Sequence, residues 1–203
     1  MQTDFDTIVL YSPICENTDI GGIFPQERKT EIQSLGSDKS RCEKYTVWQL
    51  LKYGAESFLN LKFDNLQFTK TDNGKWICPE FEFSLSHTDG LACAVLSHHP
   101  VGVDTEQIRP LSDRLSHRIL TERERGEYEG LAEPEKGTYL LDRWVRKESI
   151  FKRSGGKALL PGRIETDMHY TVTKTVTAGG RKYLLSVCTD KTDKILYKYM
   201  EEI

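Results

Sequence analysis

Residues Arg143 to Ser154 read R-W-V-R-K-E-S-I-F-K-R-S. At a helical period of about 3.6 residues, Trp144, Glu148 and Lys152 fall in one row. That row carries an aromatic ring, a carboxylate and an ammonium. Glu148 can take a metal ion or a proton, and Lys152 can hold an anionic oxygen one turn further on. Upstream, Val101 to Glu106 reads V-G-V-D-T-E. Alternate side chains of a strand share a face, which puts Asp104 and Glu106 together. The two stretches are expected to meet and build one acidic, metal-binding site. Gly102 adds a signal for close approach of another backbone or a ligand. Taken singly, a D-x-E and an i,i+4 Glu–Lys pair are both common on solvated surfaces, so the case rests on their combination.

The remaining chain is expected to be α+β, because strands and helices do not alternate regularly. Phe5 to Tyr11 reads as a first strand and Pro13 to Gly22 as a loop. Pro25 to Leu35 reads as a surface helix with Pro25 at its first position. Ser37 or Asp38 caps a longer helix with Tyr45, Trp48 and Leu51 on its apolar face. Leu61 to Thr69 reads as a strand with a slip, followed by a turn at Thr71-Asp72-Asn73-Gly74. Phe81–Leu85 and Leu91–Leu96 read as strands around a loop, Ser86 to Gly90. With Val101–Glu106 they suggest an antiparallel meander. A short helix to Leu120 follows, then a T-x-x-E capping box at Thr121 and Glu124. Glu133-Pro134 opens the long helix that Gly155-Gly156 ends. Arg163–Val176 and Arg181–Cys188 read as a hairpin closed by Ala178-Gly179-Gly180.

Composition bounds the function. The chain has 203 residues, 29% charged and 37% hydrophobic, with a formal net charge of −3. That length suits one substantial domain or two small lobes in close contact, here divided as 1–102 and 103–203. The charge balance lacks the electrostatic footprint of a nucleic-acid-binding protein. Cys15, Cys42, Cys78, Cys93 and Cys188 are odd in number and form no C-x-x-C. This speaks against a disulfide framework or a thiolate zinc site, and for reduced thiols in a cytoplasmic protein. The first residues lack the basic and apolar regions of a signal peptide, and no run reaches the roughly 18 apolar residues of a membrane helix.

Other residues suit phosphate. His87, in S-H-T-D-G, can donate to a phosphate oxygen. Arg28, Lys29, Lys39, Arg41 and Lys44 form a diffuse basic region able to bind a phosphomonoester, or simply a solvated helix face. Lys75 follows a turn at Gly74 and can reach a nucleotide. Neither G-x-x-x-x-G-K-[ST] nor G-x-G-x-x-G occurs, so phosphate binding is of neither the P-loop nor the dinucleotide type.

F-S-L-S-H-T at 83–88, V-G-V-D-T-E at 101–106, R-W-V-R-K-E-S-I-F-K at 143–152 and L-L-P at 159–161 together resemble the 4′-phosphopantetheinyl transferases of the surfactin-synthetase-activating (Sfp) type. The pattern G-[IV]-D-x-E followed by W-x-x-K-E-[SA]-x-x-K is matched at every defined position. The resemblance implies two similar lobes with antiparallel sheets and packed helices, and an active site in the cleft between them. It implies a monomer that moves the 4′-phosphopantetheine arm of coenzyme A to a serine of an apo acyl or peptidyl carrier protein, as in fatty-acid or secondary-metabolite synthesis. Adenosine 3′,5′-bisphosphate leaves. Mapped by motif, Asp104, Glu106 and Glu148 hold Mg²⁺. Glu148 also takes the serine proton, Lys152 stabilises the pyrophosphate, and His87 with Ser86 contacts a phosphate of coenzyme A. Lys75 and the basic residues Arg28, Lys29 and Arg41 complete the coenzyme A set. Lys147 is a motif residue to which no role falls. The carrier docks against Leu111 to Tyr139, where Arg114, Arg118, Arg123 and Arg125 can meet an acidic surface. Two other classes share an acidic cluster of this kind: a Mg²⁺-dependent phosphodiesterase or nuclease, and a non-catalytic module binding coenzyme A or a carrier protein.

Overall fold

The computed structural model describes residues 5–19, 25–190, 192–201 and 203. In chain order the elements are β1 (Thr7–Ser12), α1 (Gln26–Gln33), α2 (Asp38–Ser57), β2 (Thr69–Lys70), β3 (Trp76–Ile77), β4 (Glu82–Thr88), β5 (Leu91–Ser97) and β6 (Gly102–Gln107), then α3 (Ser116–Ile119), α4 (Glu122–Glu129), α5 (Glu133–Ser154), β7 (Thr171–Ala178), β8 (Arg181–Cys188) and β9 (Ile195–Tyr199). The architecture is mixed α+β, built mainly on antiparallel strand pairs. One sheet has the order β4-β5-β1-β9 and a second β6-β8-β7. β9 is the exception in direction, lying parallel to β1 with Val9 opposite Tyr197.

Strand alternation decides what each face meets. On β1 and β5, Ile8, Leu10, Ala92, Ala94 and Leu96 pack with Trp48, Leu50 and Leu51 of α2. The opposite residues, Val9, Leu91, Cys93 and Val95, pack with Val103, Tyr183, Leu185 and Val187 of the second sheet. β5 is therefore apolar on both faces and fully buried, as a central strand covered on both sides must be. Helix α5 covers the far side of the second sheet, against β6 and β8. Its end is set by Gly155, whose φ of 65° is the left-handed cap that glycine adopts without penalty.

Several sequence expectations change here. Leu61–Phe68 is not a strand, and only Thr69 at its end opens one, β2. Phe63 sits in a short 3-10 turn, and Phe63 and Phe68 both pack against Trp48, so one aromatic anchor replaces an alternating face. Ser86 and His87 lie inside β4 rather than in a loop, since the hairpin to β5 pairs as far as Thr88 with Leu91. β6 does not extend the meander but crosses to pair with β8. Arg163–Val176 begins with 3-10 turns at Pro161–Arg163 and Thr166–Met168, and the strand starts only at Thr171. Pro25 precedes α1 as its N-cap. That helix is anchored rather than superficial, with Ile32 fully buried and Arg28 5% exposed. Of the loop Pro13–Gly22, residues 20–22 lie outside the described residues. All five cysteines are free. Among the described residues, no helix is long and apolar enough to cross a membrane.

Candidate active site

The site lies where β4, β6 and α5 meet. Alternation turns Ser84, Ser86 and Thr88 of β4 toward β6. Ser84 Oγ accepts from the Val103 amide at 3.1 Å, and Ser86 Oγ accepts from the Thr105 amide at 3.3 Å. These side-chain bridges join the edges of the two sheets where no backbone ladder does. On β6, Val103 and Thr105 face inward, so Gly102, Asp104 and Glu106 face α5. A Cβ on Gly102 would lie 2.0 Å from the Ser149 carbonyl oxygen. Glycine is thus what lets α5 lie against this strand, which is the close backbone approach that its place in the sequence signals.

The helical row arrives as its spacing predicts. Trp144 hydrogen-bonds Glu106. Lys152 Nζ donates to Asp104 Oδ1 at 2.7 Å and to Ser86 Oγ at 3.1 Å. Ser86 itself donates to the same Asp104 oxygen at 2.9 Å, and Thr88 donates to Glu106 at 3.2 Å. Four helical residues advance about 6 Å and two strand residues about 6.6 Å. The two periods therefore match closely enough for successive turns of α5 to meet successive outward residues of β6.

The electrostatics follow from crowding. Burial raises the Glu106 carboxyl above its usual range, and the Asp104 charge adds to this. Glu148 is raised by burial, then by Asp104 and Glu106, with Lys152 opposing. Asp104 is 5% exposed, and its Oδ2 is buried without a hydrogen-bond partner. Among the described residues, no three His, Cys, Asp or Glu side chains are drawn close enough to hold a metal ion as they stand. Lys152 takes the place of a cation at Asp104.

His87 points to the opposite face of β4, toward α2, with Nδ1 3.6 Å from Glu43. Burial lowers its pKa to about 4, and the charges of Lys152, Lys44 and Arg28 contribute. It is therefore a neutral hydrogen-bonding group at neutral pH. A cavity of about 400 Å³ opens beside Lys152, lined by Gly74, Lys75, Trp76, Phe83 and Phe151 among others. That size suits a nucleotide-like ligand. A second cavity of about 200 Å³ lies beside Glu106 and Trp144, with Leu111, Leu115 and Arg118 in its wall. The carboxylate centre stands between the two.

The basic residues of the first two helices are not brought to this centre as free cations. Arg28 is paired with Glu31 at 3.0 Å, and Arg41 is tied to Asp38 and the Leu35 carbonyl. Lys39 binds Asp89 at 2.6 Å. Lys29 sits half-buried on α1. Two contributions escaped the sequence reading. Thr88 could have been found from its two-residue spacing to Ser86. Lys147 could not. It is completely buried and donates to Ile119 O at 2.9 Å, Pro161 O at 3.0 Å and Glu124 at 2.5 Å. Glu124 is also the capping-box residue of α4 and accepts from Thr166 at 2.9 Å. Lys147 thus ties α5 to three segments that are distant in sequence, one residue before Glu148.

Residues 100–195 match the model of the 4′-phosphopantetheinyl transferase superfamily. The chain is 28% identical over 104 residues to the 4′-phosphopantetheinyl transferase gsp of Aneurinibacillus migulanus, covering 51% of this chain and 44% of the relative. It is 25% identical over 149 residues to ffp of Bacillus subtilis, covering 64% and 65%. It is 25% identical over 100 residues to Sfp of Bacillus subtilis strain 168, covering 48% and 45%. The matches thus span between about half and two thirds of those relatives' length.

Proposed function

We propose that this chain transfers the 4′-phosphopantetheine arm of coenzyme A to a serine hydroxyl of an apo acyl or peptidyl carrier protein. The observation that carries the reading is the meeting of the family-matched β6 and α5. It gathers Asp104, Glu106, Glu148 and Lys152 between two cavities.

Coenzyme A occupies the larger cavity, with its pyrophosphate at Lys152 and Ser86 and with His87 donating to a phosphate oxygen. Lys75 lines the same cavity. The carrier docks along Leu111–Tyr139, beside the smaller cavity. Its serine oxygen attacks the β-phosphorus. A new P–O bond forms to serine as the bond to the α-phosphate oxygen breaks, and adenosine 3′,5′-bisphosphate leaves. Glu148 accepts the serine proton, directly or through a water. Lys152 moves from Asp104 to the charge developing on the pyrophosphate, an exchange that keeps both anions compensated.

Mg²⁺ fits this donor set. The oxygens are hard, Asp104 Oδ2 is buried without a partner, and the adjoining carboxyls are each raised by burial and then by the Asp104 charge, as buried, crowded anions are. Asp104, Glu106 and Glu148 are the ligands proposed, and the ion supplies charge neutralisation of the pyrophosphate. The two lobes of the reading are residues 1–102 and 103–203, in a monomer acting in the cytoplasm.

Release of adenosine 3′,5′-bisphosphate tests the reaction. It is expected only when coenzyme A, a divalent cation and an apo carrier are all present. Equal release without a carrier contradicts transfer.

A further inference from the structure

The segment that leaves β1 lays Cys15 on helix α2 beside Cys42. Cys42 and Thr46 are one turn apart and share a face of that helix. Thr46 holds the segment there. Its hydroxyl oxygen accepts from the Cys15 amide at 3.1 Å, and it lies 2.7 Å from the Cys42 carbonyl oxygen and 3.1 Å from Cys15 Sγ. The two thiols then cross. Cys15 Sγ points at the Cys42 carbonyl oxygen at 4.0 Å, and Cys42 Sγ donates at 3.6 Å to the carbonyl of Glu16, the residue after Cys15. The side chains stand in hydrogen-bonding contact, although 27 positions separate them in sequence.

The pair is asymmetric. Cys42 is buried, and burial first and Cys15 second raise its thiol above the ordinary range. Cys15 is half-buried, while Cys78, Cys93 and Cys188 are all buried. A reagent from solvent therefore meets Cys15 first, and Cys42 is the thiol placed to displace it. Glu43, the residue after Cys42, lies 3.6 Å from His87 Nδ1, so this turn of α2 also faces β4.

We propose that Cys15 and Cys42 form a covalent modification site, a reversible intramolecular disulfide in which Cys15 takes up a low-molecular-weight disulfide and Cys42 resolves it. The Cys15 thiolate attacks one sulfur of glutathione disulfide, forming a mixed disulfide and releasing one glutathione. Cys42 gives its proton to solvent and attacks the Cys15 sulfur, releasing the second glutathione. Two protein thiols lose two electrons and two protons, and glutathione disulfide is reduced to two glutathione molecules. Side chains already in contact have a short way to close to the bonding distance of about 2 Å. The bridge ties the end of β1 to α2 around α1, and closing that loop removes freedom from the unfolded chain. A disulfide of this kind in a reducing compartment is transient and redox-sensing.

The folded full chain in a series of glutathione and glutathione disulfide mixtures, quenched by alkylation and read by intact mass and peptide mapping, tests this. Wild type is expected to lose two hydrogens, with the bridge mapped to Cys15 and Cys42, and to regain them in dithiothreitol. The bridged form should melt about 5 °C or more above the reduced form. Cys42→Ser is expected to stop at one glutathione on Cys15, and Cys15→Ser to leave Cys42 unmodified. Wild type that holds glutathione on Cys15 without closing, a bridge mapped to another cysteine, or thiols unreacted in excess glutathione disulfide would each overturn the proposal. So would a bridged form that melts no higher than the reduced one, since that bridge does not fit the native packing. If a variant does not fold, the wild-type map and melting shift decide.

Discussion

Lys152 Nζ lies 2.7 Å from Asp104 Oδ1, and the other oxygen of that carboxylate is buried without a hydrogen-bond partner. The ammonium half-satisfies an anion that has one lone oxygen to offer. This pairing links the helix row to the strand motif. On the proposed reading, Lys152 is also the group that lets go of Asp104 when a pyrophosphate and a metal ion bind.

Asp104→Asn and Glu148→Gln are each expected to lower turnover by about a hundredfold or more, the cost of several kcal/mol of lost charge stabilisation. Circular dichroism should show the fold retained. EDTA should abolish activity, and Mg²⁺ or Mn²⁺ should restore it. Full activity in EDTA contradicts the metal assignment.

Gly102→Ala places a methyl 2.0 Å from the Ser149 carbonyl oxygen, so α5 must move off β6. A loss of about 1–3 kcal/mol in urea denaturation is expected from such overpacking, with turnover falling further because Glu148 and Lys152 ride on that helix. Unchanged stability and activity would show that the helix does not rest on the strand here.

Lys147→Ala leaves the Glu124 carboxylate buried and two carbonyls without their donor. The expected cost is about 3–5 kcal/mol, the range for breaking a buried ion pair from one side. Adding Glu124→Gln to Lys147→Ala should recover part of that loss, since it removes the stranded charge. A loss well under 1 kcal/mol in chemical denaturation would mean that this ammonium does not brace α5.

The raised carboxyls of Glu106 and Glu148 set a pH dependence. On the proposed metal assignment protons and the ion compete for both groups, so the Mg²⁺ needed for half-maximal rate should fall as pH rises above the ordinary carboxylate range. In the window between their ordinary and raised values the folded state holds more protons than the unfolded chain, so these groups lower stability as pH rises. His87 acts with the opposite sign. Its pKa falls from 6.5 to about 4, so its contribution to stability is lost as pH drops through that interval. In His87→Gln that acid loss should shrink. A Mg²⁺ requirement independent of pH would contradict the site's electrostatics.

The sequence carries the site better than the fold around it. Asp104, Glu106, Glu148 and Lys152 sit on regular elements, where a period of two or four residues dictates direction. The helix and its glycine stop, the Thr121–Glu124 capping box and the Gly179-Gly180 hairpin turn are equally local. The crossing of β6 into the second sheet is different in kind. It depends on Val103 packing against residues far along the chain, and no local pattern encodes that. Ser86 and His87 looked like loop residues because S-H-T-D-G is turn-rich, yet β5 extends the ladder through Thr88. The charges near the N-terminus read as ligand-binding cations, but Glu31 sits among them. A list of basic residues does not reveal which carboxylate lies between them.

The most direct measurement is the intact mass of an apo carrier protein incubated with the chain, coenzyme A and Mg²⁺. The account predicts a gain of one phosphopantetheinyl group on the carrier serine. That gain should disappear with Glu148→Gln and with a carrier whose acceptor serine is alanine. No mass gain on any of several acyl and peptidyl carriers, under conditions where coenzyme A binds, would contradict the transferase and leave a binding module in its place.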